Sequence, residues 1–448
     1  MLRFLGVDRA VAFTLFYRGW QLFANAAVLV LIARSLSPAE QGFYYLFFSI
    51  LSLQVFFELG LTYVITQFVS HERANLNWTG HGTLEGKPLA QARLALLVRF
   101  ASFWYGAVAL LMVTVLLPAG LLLFRRSAEA ALVPALPGSW ASLVLATAGL
   151  LFVTLAMAIL EGTGLVAEVA RVRSIQDVLA YCVFGLALFF GGKLWAAPLL
   201  PVTRLLVSMS WLWWSKRVFF THLFRTRAER GLLSWRREVW PMQWKIALSW
   251  ISGYFTFQLF TPVLFTYSGA ATAGKMGMTL GIASALTTVA LAWIQTKVPL
   301  FGRLVARRDF AELDAQFFRV VRQAAGIAGS AGTAIWAGVV VLHLLRSPWS
   351  ERLLGPLPLG LLMIASFLQV IIYAEAVYLR AHKDEPLLAC SVSVALLTSI
   401  STVVLGKYFG AVGIAAGYLA VISTAGLLWA TAVFVRKRRA WHCAPEPT

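Results

Sequence analysis

The chain is short of charge, of cysteine and of nucleotide-binding motifs. Only 13% of its 448 residues are Asp, Glu, Lys or Arg, about half the share of a typical soluble domain (roughly 25%). Its three cysteines, Cys182, Cys390 and Cys443, are spaced for neither a disulfide framework nor a metal site and are read as structural. The stretch "GHGTLEGKP" imitates a phosphate loop, but too few residues separate Gly82 from Gly86, and Lys87 is followed by Pro88 instead of Ser or Thr. That excludes an ATPase of this type. No metal and no cofactor is expected.

What the chain has is hydrocarbon. Hydrophobic residues make up 60% of it and its mean hydropathy is +0.77, the composition of a membrane protein. A bilayer core roughly 30 Å thick needs about 20 apolar residues per helix. Twelve such runs occur, near residues 14–36, 42–69, 94–123, 140–163, 175–192, 196–215, 244–267, 277–299, 320–345, 356–378, 387–405 and 411–435. The first holds polar residues and lacks a small-residue cleavage site, so it is expected to stay as a span.

With both termini in the cytoplasm, most of the 38 basic residues fall in cytoplasmic segments, as the positive-inside rule requires. The densest run, "SKRVFFTHLFRTRAERGLLSWRREVW", and the tail "RKRRA" supply much of the net charge of +19. Neighbouring tryptophans mark an interface, so this charge points to anionic membrane lipids and not to nucleic acid.

The basic loop divides the chain into two six-span halves: 1–215, a loop at 216–243, 244–435, and a basic cytoplasmic tail at 436–448. Internal echoes support a duplication. Thr14, Arg18, Gln21 and Asn25 share one helix face, and Lys245, Ser249, Ser252 and Thr256 repeat that spacing 231 residues later. "GFYYLFFSILS" overlays "GKMGMTLGIAS", Glu161 overlays Glu375, and "GKLW" overlays "GKYF". The two halves run in parallel, and a substrate cleft is expected between them.

The stretch "IARSLSPAEQGFYYLFFSILSLQVFFELGLTYVITQFVS" resembles the opening of bacterial polysaccharide (O-antigen type) flippases of the multidrug/oligosaccharidyl-lipid/polysaccharide (MOP) exporter superfamily. The pattern is carried by Leu36, Ser37, Pro38, Glu40, Gly42 and Phe43. "TKVPLFGRLVARRDFAELDAQFFR" and "GKYFGAVGIAAGYLAVIS" are similar to two later stretches of that family. The basic motif that major facilitators carry between spans two and three is missing. The resemblance implies an all-α, V-shaped, twelve-helix transporter of the bacterial inner membrane. It would flip a polyprenyl-diphosphate-linked oligosaccharide by alternating access during surface or exopolysaccharide synthesis, alongside a polymerase or glycosyltransferases. The alternatives are an ion-coupled drug or metabolite antiporter of the same fold and, behind it, a membrane glycosyltransferase or polymerase. The latter is disfavoured by the short, weakly polar extracytoplasmic loops.

An ionisable group inside a bilayer costs roughly 2.5–3.5 kcal/mol on insertion scales, so each needs a partner or a wet cavity. Arg18 snorkels to headgroups or, with Gln21 and Asn25, walls a cavity in which its guanidinium would grip the implied diphosphate. Lipid II flippases resemble this, with an arginine in the same part of their first span. Arg204, Lys245, Ser249, Ser252 and Thr256 are the other cavity candidates. Glu58, the deepest carboxylate, pairs with Arg18 or Arg204 or couples transport to H⁺ or Na⁺. Asp177, Glu161 and Glu375 are placed near cytoplasmic ends as caps or bridges. Gly253, Pro262 and Pro299 are the expected hinges.

Overall fold

The computed structural model describes residues 9–227, 232–382 and 386–442, with backbone only for 9–18, 22, 249 and 442. The protein is an all-α polytopic membrane protein. Its helices are α1 (Arg9–Ser35), α2 (Pro38–Leu51), α3 (Val55–Glu58), α4 (Leu61–Arg73), α5 (Pro88–Arg125), α6 (Leu136–Gly162), α7 (Val166–Phe189), α8 (Ala196–Trp211), α9 (Arg217–Arg225), α10 (Trp240–Phe257), α11 (Phe260–Ala306), α12 (Phe310–Leu344), α13 (Pro356–Ala381), α14 (Leu388–Val421) and α15 (Trp429–His442).

Seven helical runs are long and apolar enough to cross a bilayer, or eight if Pro38–Glu58 and Leu61–Arg73, bent by 45°, count as one span. Two of the seven are double. Trp235–Ala306 is broken at Gly269 (φ 85°) and Leu388–Trp441 at Gly410 (φ 57°), positive φ values that glycine adopts without strain. Separating those runs and adding α1 and α8 accounts for the twelve expected segments. The pseudo-phosphate loop is a small antiparallel hairpin, β1 (Leu76–Trp78) with β2 (Leu84–Gly86).

The chain forms two compact units, Met1–Leu36 with Ile50–Ile251, and Ser37–Ser49 with Ser252–Thr448. Residues 37–49 therefore pack with the second unit, and the second division falls inside α10 and not in the basic loop. The residues of the flippase-like opening motif explain this. Ser37 and Glu40 form a capping box, with the Ser37 amide donating to Glu40 Oε2 at 2.8 Å and the Glu40 amide donating to Ser37 Oγ at 3.2 Å. Gly42 follows because a Cβ there would lie 2.0 Å from the Ala270 carbonyl oxygen. Gln41 Nε2 donates to the Gly274 and Arg352 carbonyls at 2.9 and 3.1 Å. Gly42 and its repeat equivalent Gly274 meet backbone to backbone, so the echo in the sequence is a close helix contact in the fold.

In the first unit Trp140 is fully buried over Gly120, edge-on to Phe124, with its indole N–H donating to the Leu117 carbonyl at 3.1 Å. The basic loop lies along α5. Trp235 stacks on Phe100 at 3.9 Å, and Arg93 bridges Glu72, Glu238 and the Leu232 carbonyl. Arg99, expected within a span, donates to the Phe224 and Thr226 carbonyls at the end of α9. In the second unit Phe301, Phe317, Tyr378 and Phe434 build a core that Asp314 closes by accepting from Tyr378 and Arg438 at 2.9 and 3.0 Å.

Candidate functional site

Helix α7 begins at Val166, nine residues before the span expected from hydropathy. Its charged first half, "AEVARVRSIQD", looks like loop but is helix, because its charges are paired. Glu161 meets Arg173 at 2.7 Å and Lys216 meets Glu168 at 2.7 Å. Asp177 consequently lies about 17 Å along the helix at ~1.5 Å per residue, and it is buried.

Asp177 is the hub of the first unit's polar cluster. Arg204 Nε of α8 approaches its Oδ1 at 2.7 Å, and Gln21 Nε2 of α1 donates to its Oδ2 at 2.9 Å. Arg204 also lies over the Tyr181 ring, 5.7 Å from its centroid, and Tyr181 donates to Asn25 Oδ1 at 3.4 Å. Ser208 donates to Gln176 one turn away. The cluster opens on a cavity of about 310 Å³ lined by Gln21, Thr154, Arg173, Gln176, Asp177 and Arg204 among others. A site with two guanidiniums, each held by a carboxylate, can exchange those carboxylates for another anion.

Of the residues singled out in the sequence, the structure therefore brings together Gln21, Asn25 and Arg204. The side chains of Thr14, Arg18 and Ser249 lie outside the described residues. Glu58 does not meet Arg204; it accepts from Tyr105 at 2.8 Å and from Thr62. It stands where α3 ends at two left-handed residues, Leu59 (φ 52°) and Gly60 (φ 65°), and its hydrogen-bond donors among the described residues are hydroxyls. Lys245 is exposed beside Trp244, whereas Ser252 and Thr256 are buried, with Thr256 donating to the Ser252 carbonyl at 3.0 Å. Gly253 sits in unbroken α10 and Pro262 in the first turn of α11, where proline is tolerated. The breaks fall at Gln258–Leu259 and Gly269 instead, while Pro299 lies inside α11.

No protein-family model matches the chain, and no curated protein matches it. Solved structures do. The fold is that of the MOP superfamily transporters. An inward-facing multidrug resistance MATE family transporter matches with a TM-score of 0.63 at 17% identity, over 94% of this chain and 96% of that one. Lipid II flippase MurJ in an inward closed conformation gives 0.67 at 12%, over 97% and 89%. A MOP superfamily transporter from Pyrococcus furiosus gives 0.56 at 15%, over 98% and 97%.

Within this fold, sequence reasoning placed Asp177 near a cytoplasmic end as a cap or bridge and did not single out Arg173. The available signal was the charge run itself, in which Glu168 and Arg171 stand three residues apart and Arg173 and Asp177 four, the spacing that sets opposite charges on one helix face.

Proposed function

We propose that the protein translocates a polyprenyl-diphosphate-linked oligosaccharide across the bacterial inner membrane by alternating access, without nucleotide hydrolysis. The observation that carries this reading is the Gln21, Asp177, Arg204 cluster beside its cavity. Arg204 and Arg173 each present a planar, permanently charged fork suited to a diphosphate. In the resting arrangement their charge is balanced by Asp177 and Glu161, so an arriving diphosphate takes the place of those carboxylates in the ion pairs. Arg18 is a candidate third cation from α1. Protonation of a displaced carboxylate would link the step to H⁺.

The test is transfer of a fluorescent polyprenyl-diphosphate oligosaccharide between leaflets of proteoliposomes. Wild-type protein is expected to accelerate transfer, and Arg204→Ala to reduce it at least tenfold. No acceleration by the wild type, with efflux of a cationic drug instead, would favour the antiporter reading.

A further inference from the structure

A second cavity, of about 520 Å³, lies wholly within the second unit, and its size falls inside the roughly 300–1,000 Å³ of small-molecule sites. Its chemistry differs from that of the Asp177 cluster: no residue lining it is charged. Tyr45, Phe257 and Tyr418 contribute aromatic rings, and Gln258, Gln369 and Tyr373 contribute side chains that both donate and accept hydrogen bonds. The Tyr45 ring is fixed against Gly277, where a Cβ would come within 2.3 Å of it. The Tyr45 hydroxyl is buried with no hydrogen-bond partner among the described residues. Thr287 and Ser366 donate to the carbonyls of Ala283 and Leu362 in their own helices at 3.0 and 2.8 Å, which leaves their oxygens as acceptors.

Each simple ligand class meets a mismatch here except one. A diphosphate finds no cation and a cationic drug finds no carboxylate. An isoprenoid chain would leave the amides and hydroxyls unsatisfied, a penalty that falls on every buried polar group without a partner. An uncharged sugar ring fits both sets of groups, because its C–H faces pack on aromatic faces and its hydroxyls donate and accept around its rim.

We infer that this cavity is a glycan subsite that takes uncharged sugar rings of the cargo, separate from the groups that hold the diphosphate. The inference rests on the flippase reading above. It is tested with the purified full chain in nanodiscs, titrated with a polyprenyl diphosphate bearing neutral hexose or N-acetylhexosamine disaccharides and with the same carrier bare. The sugar-bearing probe is expected to bind wild-type protein at least tenfold more tightly than the bare carrier. Gln369→Met combined with Tyr373→Phe should abolish that advantage and leave affinity for the bare carrier unchanged.

An absent advantage in the wild type, or equal changes for both probes in the variant, overturns the subsite and leaves the flippase reading standing. Failure of the wild type to bind either probe overturns the flippase reading and the subsite together. Should the double variant unfold, Ser284→Cys offers a second readout, by mass spectrometry of maleimide labelling at position 284. Protection by the sugar-bearing probe alone supports the subsite; equal or no protection by the two probes overturns it.

Discussion

In the first unit Asp177 and Arg204 meet at 2.7 Å beside a 310 Å³ cavity, whereas no charged residue lines the 520 Å³ cavity of the second. The repeat-related acids show the same divergence. Glu161 faces Arg173 at 2.7 Å, while Glu375 is buried, accepts from Thr431 at 2.8 Å, and has no hydrogen bond to its Oε2 among the described residues. The two units thus satisfy these two acids in different ways, one by a cation and one by a hydroxyl. The first unit's cavity can exchange ions, and the second's offers only neutral hydrogen-bonding groups.

Breaking the ion pair should have the largest effect. Asp177→Ala leaves Arg204 without its carboxylate, and because Arg204 is partly exposed the cost should sit at the low end for such pairs, about 3 kcal/mol. Thermal unfolding in nanodiscs would show it, and a second change, Arg204→Met, should recover most of the loss. Next comes Gly42→Ala, whose new Cβ meets the rigid Ala270 carbonyl and should cost about 1–3 kcal/mol by overpacking. Glu375→Gln keeps the Thr431 bond, so its effect should stay below about 1.5 kcal/mol. Equal losses for Asp177→Ala and Glu375→Gln would erase the distinction between the units.

The smallest effect is one of pH. The Ser234 amide first, and the Arg93 guanidinium beside it, hold the Glu238 carboxyl below the usual carboxylate range. Its contribution is present above that range and is lost as pH falls through the lowered value. Proteolysis of the basic loop should therefore quicken only below about pH 4. Quickening near neutral pH would refute the assignment.

Hydropathy made the spans legible, because bilayer thickness acts on composition directly. The cluster was half legible. Gln21 and Arg204 stand out as polar residues in apolar runs, but Asp177, at the start of the expected span 175–192, reads as a cap at the membrane face because the helix turns before it look like loop. For Glu58 the sequence leaves pairing with Arg18 or Arg204 and ion coupling both open, because it shows that a carboxylate is deep and not that Tyr105 and Thr62 reach it. The transfer of residues 37–49 to the second unit was invisible for a similar reason. It depends on Gly42 meeting Ala270 and Gly274, far away in the chain.

The charged first half of α7 has a consequence for synthesis at the translocon. When α7 emerges from the ribosome, Glu161 and Gln21 are already made, but Arg204 and Lys216 are not. Each unpaired ion would resist entering lipid by roughly 2.5–3.5 kcal/mol. Helix α7 must therefore wait at the lateral gate until α8 arrives, and the two enter the bilayer as a hairpin. A nascent chain stopped before Ala196 would leave α7 accessible to aqueous reagents, and one released after Lys216 would seal it.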